Sequence, residues 1–122
     1  MNNSRTSTNN IVYVTSLEEL ECLVRESNQL VIICYSDWCP ACLISKMYFE
    51  QLADIYHSKC TFIKVIVDEV PIFNFPLKIR SIPTFFFFKD KNLKNRIDGS
   101  ISYSLLENYI CNFFQIKKFI DH

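Results

Sequence analysis

Residues 30–35, Leu-Val-Ile-Ile-Cys-Tyr, are apolar without a break, and residues 85–88 are four phenylalanines in a row. Neither run alternates as a strand with one wet face would. Such runs suit central strands covered on both sides, so the sheet they enter needs an apolar layer above it and another below. A chain of 122 residues is one ordinary domain, large enough to bury about two-thirds of the surface it would expose unfolded. The layers must therefore come from the segments between the strands.

Those segments carry helical patterns. Residues 11–14, Ile-Val-Tyr-Val, read as a short strand. Ser16 with Glu19 three residues later is a capping box for a helix that sets Leu17, Leu20, Leu23 and Val24 on one face. From Cys39 onward Ile44, Met47, Tyr48, Leu52, Ile55 and Tyr56 recur at helical spacing, with Lys46, Glu50 and Asp54 expected to turn away. Residues 61–67 form another strand candidate with one charge, Lys64. Pro71 and Pro76 restrict the following connection to short pieces. Residues 84–88 and 93–97 read as a hairpin around a polar turn at Lys89–Asn92. A last helix starts near Ser102 or Ser104 and carries Leu106, Tyr109, Ile110 and Phe113. The order β-α-β-α-β-β-β-α implies a single α/β domain, a mixed sheet flanked by helices on both faces. It is expected over residues 10–122, behind a disordered polar tail at 1–9.

Charge narrows the partners. The 13 basic and 13 acidic residues cancel and leave no block of one sign, which argues against nucleic acid and against anionic membranes. The first ten residues lack the apolar core of a signal peptide, and no apolar run approaches the ~18 residues of a membrane span. A soluble, cytoplasmic monomer is the expectation.

The chemistry concentrates at Asp37-Trp38-Cys39-Pro40-Ala41-Cys42. Without an export signal, two cysteines at this spacing belong more often to a catalytic or metal site than to a static bridge. A zinc site needs about four ligands, and neither a second close pair nor a histidine cluster accompanies Cys39 and Cys42, so no metal is expected. Cys39 lies where a buried strand ends and a helix begins, so free backbone N–H groups and the positive end of the helix dipole favour its thiolate. Pro40 fits the first helical turn, where its missing N–H has no partner to lose, and it stiffens the loop between the sulfurs. Cys22, Cys34 and Cys111 fall within helical or strand patterns as small core residues. Cys60, between a helix and a strand, is the expected accessible extra thiol.

With the C-P-A-C motif, Ile82-Pro83-Thr84 some forty residues later and the following Asp98-Gly99, residues 10–119 resemble the thioredoxin family. The resemblance implies the thioredoxin fold, with a cis peptide before Pro83. It implies Cys39 as the attacking nucleophile, Cys42 as the resolving thiol and Trp38 shielding the pair. It also implies Pro83 against the sulfurs, the Ile82 backbone turned outward to pair with a substrate chain, and Gly99 beside that groove. Gly99 is the chain's only glycine, which points to positive φ or close approach there. The implied activity is reduction of protein disulfides. The electron donor would be a flavin-dependent thioredoxin reductase drawing on NADPH, and the chain itself would bind no cofactor.

Two departures from the family surround the active-site helix. Met47 replaces a proline that kinks it, so a straighter helix is expected. Ile33 replaces a buried aspartate, while Lys64, which matches that aspartate's usual neighbour, is retained as a tuning residue. Deprived of that partner, Lys64 should lose its proton, turn toward the sulfurs, or reach the surface. The rival readings are a glutaredoxin-like use of glutathione, a disulfide oxidase or isomerase, and a non-catalytic thioredoxin-like adaptor.

Overall fold

The computed structural model describes residues 10–70 and 78–119. The elements are β1 (Val12–Val14), α1 (Leu17–Glu26), β2 (Gln29–Tyr35), α2 (Pro40–Tyr56), β3 (Thr61–Ile66), β4 (Thr84–Lys89), β5 (Asn92–Asp98) and α3 (Tyr103–Phe114). This is the element order read from the sequence. The expected tail and the connection bearing Pro71 and Pro76 lie outside the described residues.

The sheet runs β1-β3-β2-β4-β5, parallel across its first three strands and antiparallel from β2 through β4 to β5. The two uninterrupted apolar runs thus lie side by side, with Ile33 opposite Phe85 and Val31 opposite Phe87. Strand alternation sorts them into two cores. Val31, Ile33, Tyr35, Phe62, Ile66, Phe85 and Phe87 share one core with residues of α2 and α3. Leu30, Ile32, Cys34, Ile63, Val65, Phe86 and Phe88 share the other with Leu20 of α1. Helices cover both faces, as a pair of doubly buried strands requires.

Local signals place the helix starts. Ser16 Oγ accepts the Glu19 N–H at 3.1 Å. The Glu19 carboxylate reaches back one residue beyond the reciprocal capping-box position and accepts from the Thr15 N–H at 3.0 Å. Ser102, not Ser104, caps α3 through the Leu105 N–H. The hairpin turn is tighter than expected: Asp90 and Lys91 alone make it, both at positive φ, as a two-residue turn matched to strand twist demands.

The phase of α2 corrects the sequence reading. Its inward residues are Cys42, Ser45, Phe49, Leu52, Ala53 and Tyr56, whereas Ile44 and Met47 are exposed. Apolar residues occur on more than one side of this helix, so periodicity alone did not select the buried face. α2 runs through Met47 without a break to Tyr56.

Candidate functional site

Tyr35 ends the apolar strand β2, and the chain leaves the sheet through Ser36-Asp37-Trp38 before α2 begins. Cys39 occupies the N-cap position in an extended conformation, without a side-chain cap, and Pro40 is the first helical residue. The helix therefore opens with Cys39 at the positive end of its dipole. The Cys42 N–H closes the first turn onto the Cys39 carbonyl at 3.0 Å. Both cysteines are free thiols here and both are buried.

Burial pushes the Cys42 thiol up to about 12, helped by its hydrogen bond with the Cys39 side chain and opposed by the Ser36 backbone. Cys42 is thus held as a thiol at neutral pH, in side-chain contact with Cys39. Beneath them lie Ile33, Tyr35 and Phe85, which share their core cluster. Ile33 is fully buried and without charge, in the same core cluster as both cysteines.

Two loops bracket the pair. The Ile82-Pro83 peptide is cis, and Ile82 is a half-buried residue packed on the same cluster. The Pro83 carbonyl accepts the Gly99 N–H at 2.8 Å, and the neighbouring Ser100 hydroxyl donates to the Ala41 carbonyl at 3.3 Å. Pro83, Gly99 and the C-P-A-C loop are therefore tied into one rim. Gly99 sits at φ +98°, and a Cβ there would meet nothing within 4 Å. Backbone conformation, not crowding, is what calls for glycine.

Trp38 is 68% exposed, and its indole N–H donates to Asp68 Oδ2 at 2.7 Å. The same oxygen accepts from the Ser36 hydroxyl at 2.8 Å. Sequence reasoning passed over Asp68 and Ser36; an acidic residue just past a strand end carries no distinguishing pattern.

Lys64 corrects an expectation. It is buried, and its Nζ lies 2.7 Å from Glu50 Oε2. Glu50, expected to face away, leans back from α2 to meet it, and Lys46 joins the same oxygen at 3.4 Å. A carboxylate from the helix thus serves the lysine that the strand no longer partners. Both ammonium groups also lie about 6 Å from the centroid of the buried Tyr35 ring, within the range of a cation–π attraction.

The other thiols divide differently from expectation. Cys34 and Cys111 are buried, but Cys22 is half-exposed on α1, where its hydrogen bond to Glu26 holds the thiol up. Cys60 is buried, not accessible: it packs in the α2/α3 core, and burial together with the neighbouring Cys111 pushes its thiol up to about 12. Among the described residues no group of three or more His, Cys, Asp or Glu side chains could hold a metal ion.

Buried thiols make stability depend on alkali. Below pH 9, the ordinary thiol value, folded and unfolded chains both keep these protons. Between 9 and 12 the unfolded chain loses them while folded Cys42 and Cys60 retain theirs, so stability falls as pH rises. The melting temperature of the reduced protein is expected to drop progressively above pH 9, and Cys60→Val should flatten that slope. An unchanged slope in the variant would show that Cys60 is not shielded from water.

The family model described as Thioredoxin matches residues 11–112. The chain belongs to the thioredoxin family. It is 34% identical over 89 residues to the thioredoxin of Mycoplasmoides gallisepticum, covering 73% of this chain and 88% of that one. It is 30% identical over 96 residues to mitochondrial thioredoxin-3 of Saccharomyces cerevisiae, covering 79% and 75%. Among solved structures, the thioredoxin of Plasmodium falciparum superposes with a TM-score of 0.77 at 27% identity, over 84% of this chain and 99% of that one. The five-stranded mixed sheet with three helices is accordingly a thioredoxin fold, and family membership supports a function of the thiol-disulfide oxidoreductase type. No helix among the described residues is long and apolar enough to cross a membrane.

Proposed function

We propose that this thioredoxin-family chain reduces protein disulfides through a Cys39/Cys42 dithiol cycle. The observation that carries the reading is the contact between the two thiols: Cys39 stands at the mouth of α2, and Cys42 lies behind it, buried and held protonated. The Cys39 thiolate attacks one sulfur of a substrate disulfide. That S–S bond breaks, its other sulfur leaves as a thiol after taking a proton, and a mixed disulfide joins Cys39 to the substrate. Cys42 then gives up its proton and attacks the Cys39 sulfur, releasing the second substrate thiol and closing the 39–42 bond. Two electrons and two protons pass to the substrate.

Each bracketing residue has a part in that cycle. The Ile82 backbone before Pro83 offers hydrogen bonds to an extended substrate strand. Gly99 keeps the opposite rim low, and Trp38, tethered by Asp68, roofs the sulfurs. Pro40 and the buried Lys64 tune the couple. Partners on this reading are disulfide-bearing proteins and a thioredoxin reductase that reopens the 39–42 bond with electrons from NADPH. The chain carries out the exchange without a cofactor of its own, as a cytoplasmic monomer.

Equilibration of the 39–42 couple against glutathione redox buffers, together with an insulin-reduction assay, tests the reading. The expected potential lies in the range of about −220 to −260 mV, somewhat more oxidising than the roughly −270 mV of thioredoxin, because Ile33 places no negative charge under the thiolate. Insulin should be reduced by catalytic amounts of the protein. A potential near −120 mV would instead identify an oxidase, and turnover of glutathione disulfide without insulin would identify a glutaredoxin-like activity.

A further inference from the structure

The phase of α2 leaves apolar side chains in water beside the reactive pair. The exposed residues in its first two turns are Pro40, Ala41, Leu43, Ile44 and Met47. Leu43 is 55%, Ile44 50% and Met47 45% exposed. Lys46 is the only charge in this stretch, and it is half-buried and drawn toward Glu50. Single exposed apolar residues need no explanation, but a contiguous set at a reactive centre does.

The set is ordered with respect to the sulfur. Cys39 is the N-cap, so Trp38 precedes the cap and Leu43 is the fourth helical residue. These two occupy the positions of a hydrophobic staple. Leu43 lies four residues beyond the N-cap Cys39, and Met47 four beyond Leu43, so Leu43 and Met47 form one exposed row that leads away from Cys39 along the helix, flanked by Ile44. The helical rise places Leu43 about 6 Å and Met47 about 12 Å from the Cys39 position. An extended polypeptide advances about 3.3 Å per residue. A substrate strand that leaves Cys39 along α2 would bring its second and fourth neighbouring residues alongside Leu43 and Met47.

We propose that Leu43, Ile44 and Met47 set the substrate class of this site: disulfides in polypeptides with apolar side chains at about the second and fourth positions from the attacked cysteine. The inference rests on the reading of Cys39 as a disulfide-reducing nucleophile and adds the preference to it. The occupant is a partner polypeptide because the row begins one helical turn from the reacting cysteine. It offers the partner no exposed charge to pair with, so recognition is by removal of apolar surface from water. The covalent step is the thiol–disulfide exchange already described.

Two disulfide-linked peptides of equal charge provide the test, one with Leu and Phe at the second and fourth positions and the other with Ser and Asn. Reduction by the parent protein is expected to favour the apolar peptide by about tenfold in kcat/KM, the order available from partly burying two or three such side chains. In the Leu43→Ser/Met47→Ser double variant the ratio should fall to about one. Because the ratio is taken within one protein, any loss of active molecules cancels. A parent ratio near one with both peptides reduced, or a tenfold ratio that survives the double substitution, overturns the inference and leaves the reductase reading standing. Failure to reduce either peptide overturns that reading, and the inference with it. Sedimentation at the assay concentration covers the remaining occupant: a dimer that dissociates in the double variant would assign the row to a second copy of this chain and overturn the inference.

Discussion

Cys42→Ser is expected to turn the chain into a trap that stays covalently joined to its substrates through Cys39, with turnover falling on the order of a thousandfold or more. The attacking sulfur remains at the N-cap of α2, so the first exchange still runs. The second needs a sulfur in contact with Cys39, and among the described residues Cys42 has that hydrogen-bonding relation. The hydroxyl of serine cannot displace a thiolate, and the mixed disulfide persists. Cys39→Ser should lose turnover as completely and capture nothing, because Cys42 is fully buried behind it. Non-reducing gels of both variants after mixing with disulfide-bearing proteins give the comparison. Equal capture by the two would reverse or dissolve the assigned roles. Insulin reduction surviving in Cys39→Ser would remove the catalytic cycle altogether and favour an adaptor.

What could be read from the chain before its structure was known depended on how few residues each feature needed. The Cys39/Cys42 pair, Pro40, the cis-Pro83 loop and Gly99 are short motifs at fixed spacing, and the doubly apolar strands announce a two-sided core within six residues. The phase of α2 was harder. Cys42, Ser45 and Phe49 face inward while Ile44 and Met47 do not, and a helix apolar on more than one side gives periodicity no single answer. The Lys64–Glu50 pair joins residues on a strand and a helix. Glu50 looked like a solvated charge because its partner is fourteen positions away. Cys60 looked accessible because loops usually are, but the Cys60 N–H still bonds to the Tyr56 carbonyl at 3.2 Å, and that return folds its thiol under α3. Asp68 holds Trp38 and Ser36 from across the sheet end, a relation that only the parallel pairing of β2 with β3 brings about.

That same pairing sharpens the consequence of restoring a carboxylate under the sulfurs. Ile33 is the register partner of Lys64, and it shares a core cluster with Cys39 and Cys42. An aspartate introduced at position 33 would thus be flanked by the lysine on one side and the thiols on the other. Burying an isolated carboxylate is costly, but the ammonium of Lys64 offsets part of that, in competition with Glu50. Ile33→Asp is therefore expected to destabilise the protein by about 3 kcal/mol without preventing folding. The negative charge disfavours a second one at the sulfurs, so the pair's thiolate titration should move to higher pH and the reduced form should lose thiolate stabilisation. A one-unit rise corresponds to about 1.4 kcal/mol, or a potential lower by about 30 mV. Ile33→Asn separates charge from shape, since it introduces a similar volume and a comparable polar burial without the negative charge. It should lower the melting temperature while leaving the potential near that of the parent. Equal potentials for the aspartate and asparagine variants would show that position 33 does not act on the sulfurs through charge, and the account of a more oxidising couple would fall with it.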